Sequence, residues 1–398
     1  MVVTDHREQK KTIIFCAHKG ADDHITGAEN YFLFLMKEMQ KRYHCILVSP
    51  IQSMLTAKVK KLAIEVLITP YPMCWQLWKP DETLIEQQKQ LLSDPSHQQL
   101  TTIIKKKKAD LVIVNTCVNP IPALAAKQLG VPVVWIISEV IAENIFSKQA
   151  VSFINQYSNW IIGVSNAVLK QFYQAKLQQK TFVLHPTVEL KQLQLPLMKR
   201  NRELFRHKLR LKNTDLLVAC IAAYFSPIKG FEHFIQMAVS LCRKHHQVHF
   251  LLIGKPTDKF FYKKCRQLIN RSRNKHKFHL LPFEANIYSV YPAVDVIVIP
   301  SLVDEGFSLV CQESLFLAKP VVAYQSGGLI EQFQKTNNEQ FVVEKRNIHM
   351  LESKVSQLIT NPMLREKVGK QNRVAAMNYF GIEHFRKQLH FIFGNVLG

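Results

Sequence analysis

The sequence predicts an α/β protein built from two doubly wound parallel-sheet domains, and three observations lead there. Short Val/Ile-rich runs alternate with helical segments. Those runs are continuous rather than strictly alternating, as in strands covered on both faces. The scheme occurs twice, and 398 residues suit two domains of ~100–200 residues each.

In the first half, Thr12–Ala17 is the opening buried strand, and a helical pattern runs from about Ala28 to Arg42. Strands follow at Cys45–Ser49, Ala63–Thr69, Asp110–Asn115, Pro132–Ile137, Trp160–Val164 and Thr181–Leu184. The second half has strands at Leu216–Ala222, His249–Ile253, Phe278–Leu281, Val294–Ile299 and Pro320–Tyr324, with a helix from about Phe231 to Lys244 after the first. A polar, basic stretch, Glu189–Asn213, is the expected linker. The expected division is 1–195, 196–380 and a terminal helix, 381–398, returning to the first domain. Open parallel sheets bind ligands outside the carboxyl ends of their strands, so a cleft between two such domains is the expected site.

Composition narrows the class. Apolar residues are 47 % and charged residues 21 %, values of a globular protein rather than a disordered one. No apolar run reaches the ~18–20 residues of a membrane span, and the first residues are too polar for a secretory leader. The eight cysteines stand singly, several in strand-like runs. Buried reduced thiols and a cytoplasmic setting are the expectation. The net charge of +22 is the abnormal number, and the excess lies in both halves. Such a field attracts polyanions. No stacking aromatics on a basic strand face and no recognition helix are legible, which argues against nucleic acid.

The segment Pro300–Glu331 carries the chemistry. Glu305 and Gly306 form a turn, and Ser308 caps a helix expected to run to about Ala318. Gly306 removes a side chain where backbone must approach a ligand, and the amides of Phe307, Ser308, Leu309 and Val310 then face an anion. Glu313 lies one turn beyond Leu309, ~5 Å along the axis, placed for the vicinal hydroxyls of a ribose. Glu305 is placed for hydroxyls at the ligand's other end. A capped surface helix with two solvated glutamates is the plain alternative.

The Glu305-x7-Glu313 spacing, the Glu-Gly-Phe-Ser-Leu-Val run and the trailing Lys-Pro-Val-Val-Ala…Gly-Gly-Leu-Ile-Glu resemble the donor-site signature of glycosyltransferase family 4. The resemblance implies the GT-B fold, with its two domains facing across a cleft. It also implies transfer of a hexose-type sugar from a nucleotide-diphosphate sugar with retention of configuration, and no metal ion or other cofactor. Ser226-Pro-Ile-Lys-Gly-Phe231 resembles the family's Pro-Glu-Lys-Gly loop, making Lys229 the expected cation for the departing diphosphate. The arginine usual five residues earlier is here Tyr224, so one expected phosphate cation is missing; Tyr224 can still donate a hydrogen bond, or a neighbouring basic residue substitutes. Gly254 resembles the glycine bordering the nucleotide, and Leu281–Ala285 the segment contacting the base. In the first half, Gly27 resembles the glycine that lets backbone approach the donor, and His18 on the same loop is a candidate acid or base, or merely exposed. Ser138 occupies the place of a family histidine facing the acceptor, with Glu139 beside it as a substitute catalytic group, or else as an N-cap or salt-bridge partner. Val164–Ala167 and Leu184–Glu189 resemble the family's strand-end motif and the exit to its second domain.

The implied reaction is front-face attack by an acceptor hydroxyl, with the leaving phosphate taking its proton and domain closure excluding water. The acceptor is expected to be a glycan or a lipid-linked sugar. Lys58–Lys61, Lys105–Lys108 and Arg266–Lys277, with Trp75 and Trp78 near the first, suggest docking on an anionic membrane surface on its inner face. A GT-B subunit that binds nucleotide sugar without catalysis and a nucleotide-sugar epimerase of the same fold are the alternatives.

Overall fold

The computed structural model describes residues 10–20, 25–189, 191–282, 284 and 286–397. The chain forms two compact units. One takes the chain up to Leu184 together with the stretch from Leu389 on, and the other runs His185–Gln388. The change of unit at His185 has a packing reason: Val188 and Leu193, polar-flanked in sequence, are buried in the second unit's core.

The first unit holds a seven-stranded sheet of β1 (Thr12–Cys16), β2 (His44–Ser49), β3 (Glu65–Ile68), β4 (Leu111–Asn115), β5 (Val133–Ile137), β6 (Trp160–Gly163) and β7 (Thr181–Val183). Every pair is parallel, in the order β3-β2-β1-β4-β5-β6-β7. The runs Ile13–Cys16, Leu111–Val114 and Val133–Ile137 are fully buried, which is why their sequences are continuously apolar.

The second unit holds six strands, β8 (Leu216–Phe225), β9 (Val248–Pro256), β10 (Phe278–Leu281), β11 (Val296–Ile299), β12 (Val321–Tyr324) and β13 (Val342–Val343). They are also parallel, in the order β10-β9-β8-β11-β12-β13. β13 has only two residues, too short to leave a periodicity in the sequence.

Each order reverses once, between β1 and β4 and between β8 and β11. At such a reversal the loops leave in opposite directions and open a crevice at the strand ends. Two crevices, one per unit, are what the fold prepares.

The expected linker contains a helix, Met198–Lys208, packed on the second unit. Its charge hid it. Arg202 and buried Arg206 both pair with Asp295, at 3.0 and 3.4 Å, and Arg206 also donates to Lys212 O and Asp215 O, each at 2.7 Å. All eight cysteines are free and buried, and burial holds the thiols of Cys45, Cys74, Cys242 and Cys265 at about 11 to 12. Among the described residues no helix is long and apolar enough to cross a membrane.

Candidate functional site

In the second unit β8 runs into a 3₁₀ turn, Pro227–Lys229, and then the helix Phe231–Lys244. Gly230 between them has φ +71°, and a Cβ there would lie 1.8 Å from Pro300 O. Only glycine lets this loop touch the one leaving β11. Leu302 N completes the join by donating to Ile228 O at 2.8 Å. Across the join Lys229 Nζ lies 2.7 Å from Glu305 Oε1, which also accepts from Ser301 Oγ at 2.6 Å. Glu305 N donates to Ser326 Oγ, which in turn donates to Val303 O. The turn is thus held at both its backbone and its side chain.

The following helix runs Leu309–Phe316, capped by Ser308, whose Oγ accepts from Cys311 N. The expected set of open amides needs one correction. Ser308 N donates to Gln332 Oε1 at 3.3 Å, and Gln332 Nε2 donates back to Ser308 O at 3.0 Å, so that amide belongs to the fold. The first-turn amides of Leu309 and Val310 are the ones an α-helix leaves unpaired by its own geometry.

Glu313 is not a solvated surface carboxylate. Tyr288 Oη donates to its Oε1 at 2.8 Å and Tyr291 Oη to its Oε2 at 2.6 Å. Burial pushes its carboxyl above the usual carboxylate range, and the two phenol bonds pull it partly back. Each phenol is in turn raised by burial and by the carboxylate it faces. A carboxylate has about four lone-pair positions; with two used by tyrosines, the rest remain for donors from a ligand. Neither tyrosine stood out in the sequence. Their spacing of three residues on successive 3₁₀ turns, Ile287–Ser289 and Tyr291–Ala293, was the available signal.

Phe307 packs against His185 and Phe380 at 5.7 and 5.6 Å, and His185 Nε2 meets Glu331 Oε1 at 2.8 Å. On the β8 side, Gly254 allows close approach of β9: a Cβ there would lie 2.9 Å from Phe225 N. After an irregularity in the ladder, Tyr224 is in register with Lys255. Of the expected base-contacting segment Leu281–Ala285, positions 283 and 285 lie outside the described residues.

The first unit collects the remaining expected residues differently. Gly27 is exposed at the start of the helix Gly27–Met39, whose Thr26–Glu29 capping box already ties down Thr26 N and Glu29 N. His18 is not an exposed loop side chain: burial holds its imidazole at about 4, and Nδ1 lies 3.2 Å from Asn115 Nδ2. Glu139 makes no ion pair among the described residues. Its Oε2 accepts from Cys117 N at 3.1 Å and Ser138 N at 3.2 Å, and burial raises its carboxyl.

The basic segments separate as well. Trp75 is exposed, whereas Trp78 is anchored by Nε1 donating to Val140 O at 3.1 Å. In the second unit Arg243, Arg271 and Arg273 line a groove of about 620 Å³ floored by Val239 and Leu268. It sits where two helices end, at the opposite end of the sheet from Glu313. Among the described residues no group of three His, Cys, Asp or Glu side chains is placed to hold a metal ion.

Residues 201–375 match the family model described as glycosyl transferases group 1. A curated relative, an uncharacterized glycosyltransferase of Methanocaldococcus jannaschii, is 30 % identical over 37 % of this chain; the alignment spans 40 % of that relative's length. Among solved structures, the Anabaena HepE protein in complex with UDP superposes with a TM-score of 0.80 at 20 % identity, over 97 % of this chain and 100 % of that one. Further structures of the same Anabaena protein hold UDP with glucose and UDP-glucose. A glycosyltransferase of Rickettsia africae superposes with a TM-score of 0.79 at 18 % identity, over 98 % and 99 % of the two chains. The stretch carrying Lys229, Glu305 and Glu313 is therefore a glycosyl transferases group 1 domain, on a chain of two Rossmann-like units with the GT-B fold.

Proposed function

We propose that this protein moves a hexose from a nucleoside diphosphate sugar to an acceptor hydroxyl with retention of configuration, in the manner of glycosyltransferase family 4. The observation that carries this reading is the doubly supported Glu313 carboxylate, one turn into a helix whose first amides have no partner among the described residues. In this reading the diphosphate rests on the amides of Leu309 and Val310, and the ribose hydroxyls donate to Glu313. Lys229 neutralises the leaving phosphate. Lys255, in register with Tyr224, is the neighbouring cation that takes over from the arginine this chain lacks. Glu305 holds Lys229 in place and offers its second oxygen to the sugar. The UDP carried by the Anabaena relative favours a uridine donor.

The chemistry asks little of a protein base. The leaving diphosphate is a good one, its oxygen can take the acceptor's proton, and positioning with charge neutralisation lowers most of the barrier. Exposed Trp75, with Lys58 and Lys60 on the helix Met54–Lys60, supports peripheral docking on an anionic membrane near a glycan or lipid-linked acceptor. Co-sedimentation with anionic but not neutral vesicles is the expected result.

Titration calorimetry with UDP, GDP and ADP tests the central reading. One nucleotide is expected to bind clearly better than the others, and Glu313→Ala to weaken it by about 100-fold or more, the lower end for two hydrogen bonds to a charged group. Equal binding by wild type and Glu313→Ala would overturn the reading. Tyr224 and Ser138 favour a second reading, a binding subunit without catalysis; slow hydrolysis of the preferred nucleotide sugar by the purified protein excludes it.

A further inference from the structure

The basic groove of the second unit takes no part in the donor reading. Its arginines come from two helix ends. Arg243 stands in the last turn of the helix Phe231–Lys244, and Arg271 closes the helix Lys259–Asn270, its N–H donating to Gln267 O at 3.1 Å. Arg273 follows in a turn held by Ser272, whose Oγ accepts from Asn274 N and whose carbonyl accepts from Lys275 N, each at 3.2 Å. Val239 precedes Arg243 by four residues and Leu268 precedes Arg271 by three, so each shares a helix face with its arginine. Both pack against the unit's core while lining the groove, which gives the guanidiniums an apolar floor.

The charge in this groove is uncompensated. No residue lining it is acidic. Arg243, Arg271 and Arg273 are exposed, and among the described residues none of them has an ion pair or a side-chain hydrogen bond. Basic neighbours outside the groove do find partners: Lys244 pairs with Glu352 at 2.7 Å and Lys264 with Glu232 at 2.8 Å. Two helix C-termini together carry about one negative charge. Three permanent cations exceed that, leaving the groove with a net charge of about +2. Compensation of the helix ends therefore accounts for part of the set and not for all of it.

A guanidinium presents a planar fork that matches two oxygens of one phosphate. Three forks around a groove of about 620 Å³ are more than a single phosphate can use. Ser272 and Asn274 add neutral polar groups beside them. None of the exposed large apolar side chains lines the groove, so it lacks the apolar projection with which a surface enters a bilayer. We infer that this groove binds a small soluble anion carrying two or more phosphate groups, gripped by Arg243, Arg271 and Arg273 above Val239 and Leu268. The groove lies at the opposite end of the sheet from Glu313. The inference is therefore independent of the donor reading and gives the same unit a second phosphate site.

Titration calorimetry of the full chain with inorganic tripolyphosphate at about 150 mM salt, where loose surface attraction is screened, tests it. A binding event is expected in the wild type, with orthophosphate at least about tenfold weaker. Arg271→Gln and Arg273→Gln are each expected to weaken tripolyphosphate by about three- to tenfold, and the double variant by more than tenfold. These side chains are exposed, so the variants should melt with the wild type. Lys229→Ala is expected to keep this binding event, and the double variant to keep the wild-type affinity for the preferred nucleoside diphosphate. Silence with tripolyphosphate, undiminished binding in the double variant, or orthophosphate binding as tightly as tripolyphosphate overturns the inference. Loss of anionic-vesicle co-sedimentation in the double variant, with tripolyphosphate silent in the wild type, would assign the groove to a bilayer and overturn it equally.

Discussion

The two crevices occupy equivalent places in their sheets, at the single reversal of strand order, yet their chemistry is opposite. The second unit's crevice is ionic. Lys229 and Glu305 are paired at 2.7 Å, and a buried carboxylate, Glu313, is braced by two phenols. The corresponding place in the first unit has no such ion pair among the described residues: it holds a low-pKa imidazole, amide oxygens and hydroxyls beside the buried Glu139 carboxyl. One fold rule makes the place, and the residues at the strand ends set its chemistry.

The contrast can be broken most sharply at Lys229. Lys229→Ala removes the cation proposed for the leaving group and strands Glu305, so the transfer rate is expected to fall by about 10²–10³-fold in steady-state assays. The titration of His18 in the first unit should stay as it was; a shift there would mean that the crevices are not chemically separate.

A smaller effect is expected from Tyr291→Phe. The variant removes one of two bonds that hold the Glu313 carboxyl down against burial. Nucleotide affinity should fall by about three- to tenfold at neutral pH. Its decline on acidification should begin at higher pH than in the wild type, because protonated Glu313 no longer offers two free carboxylate oxygens. A pH series of calorimetric titrations checks both.

Thr116→Gly contrasts with these, since it should leave nucleotide affinity and stability both close to the wild type. Release of the strained φ +68° offsets the extra flexibility of glycine, so stability by denaturant melting should remain within about 1 kcal/mol of the wild type. A loss well beyond that would assign Thr116 a packing role.

The mildest prediction concerns pH at His18. Its imidazole is held at about 4, against ~6.5 for an unperturbed histidine. It therefore stays neutral as pH falls from 8 to about 5. Its ring-proton NMR shifts should be flat over that window, whereas a step near 6.5 would show a solvated, titrating ring.

These differences also mark what the sequence could reveal. The sheets were legible because strands covered on both faces must be continuously apolar, and Ser308 as a helix cap followed from its chemistry and position. The helix Met198–Lys208 was hidden because its arginines are buried against one acid, Asp295, far along the chain. Tyr288 and Tyr291 were hidden for a similar reason. A phenol among apolar neighbours looks like core, and only folding brings Glu313 to it. The strain at Thr116 and the Gln332 clamp on Ser308 leave no local pattern at all, because both are imposed from neighbouring elements.

The most direct measurement is a crystal structure with the preferred nucleoside diphosphate bound. The account predicts phosphate oxygens within hydrogen-bond distance of Leu309 N and Val310 N, and both ribose hydroxyls donating to Glu313 between the two tyrosines. A nucleotide lodged elsewhere, with Glu313 touching only Tyr288 and Tyr291, would contradict it.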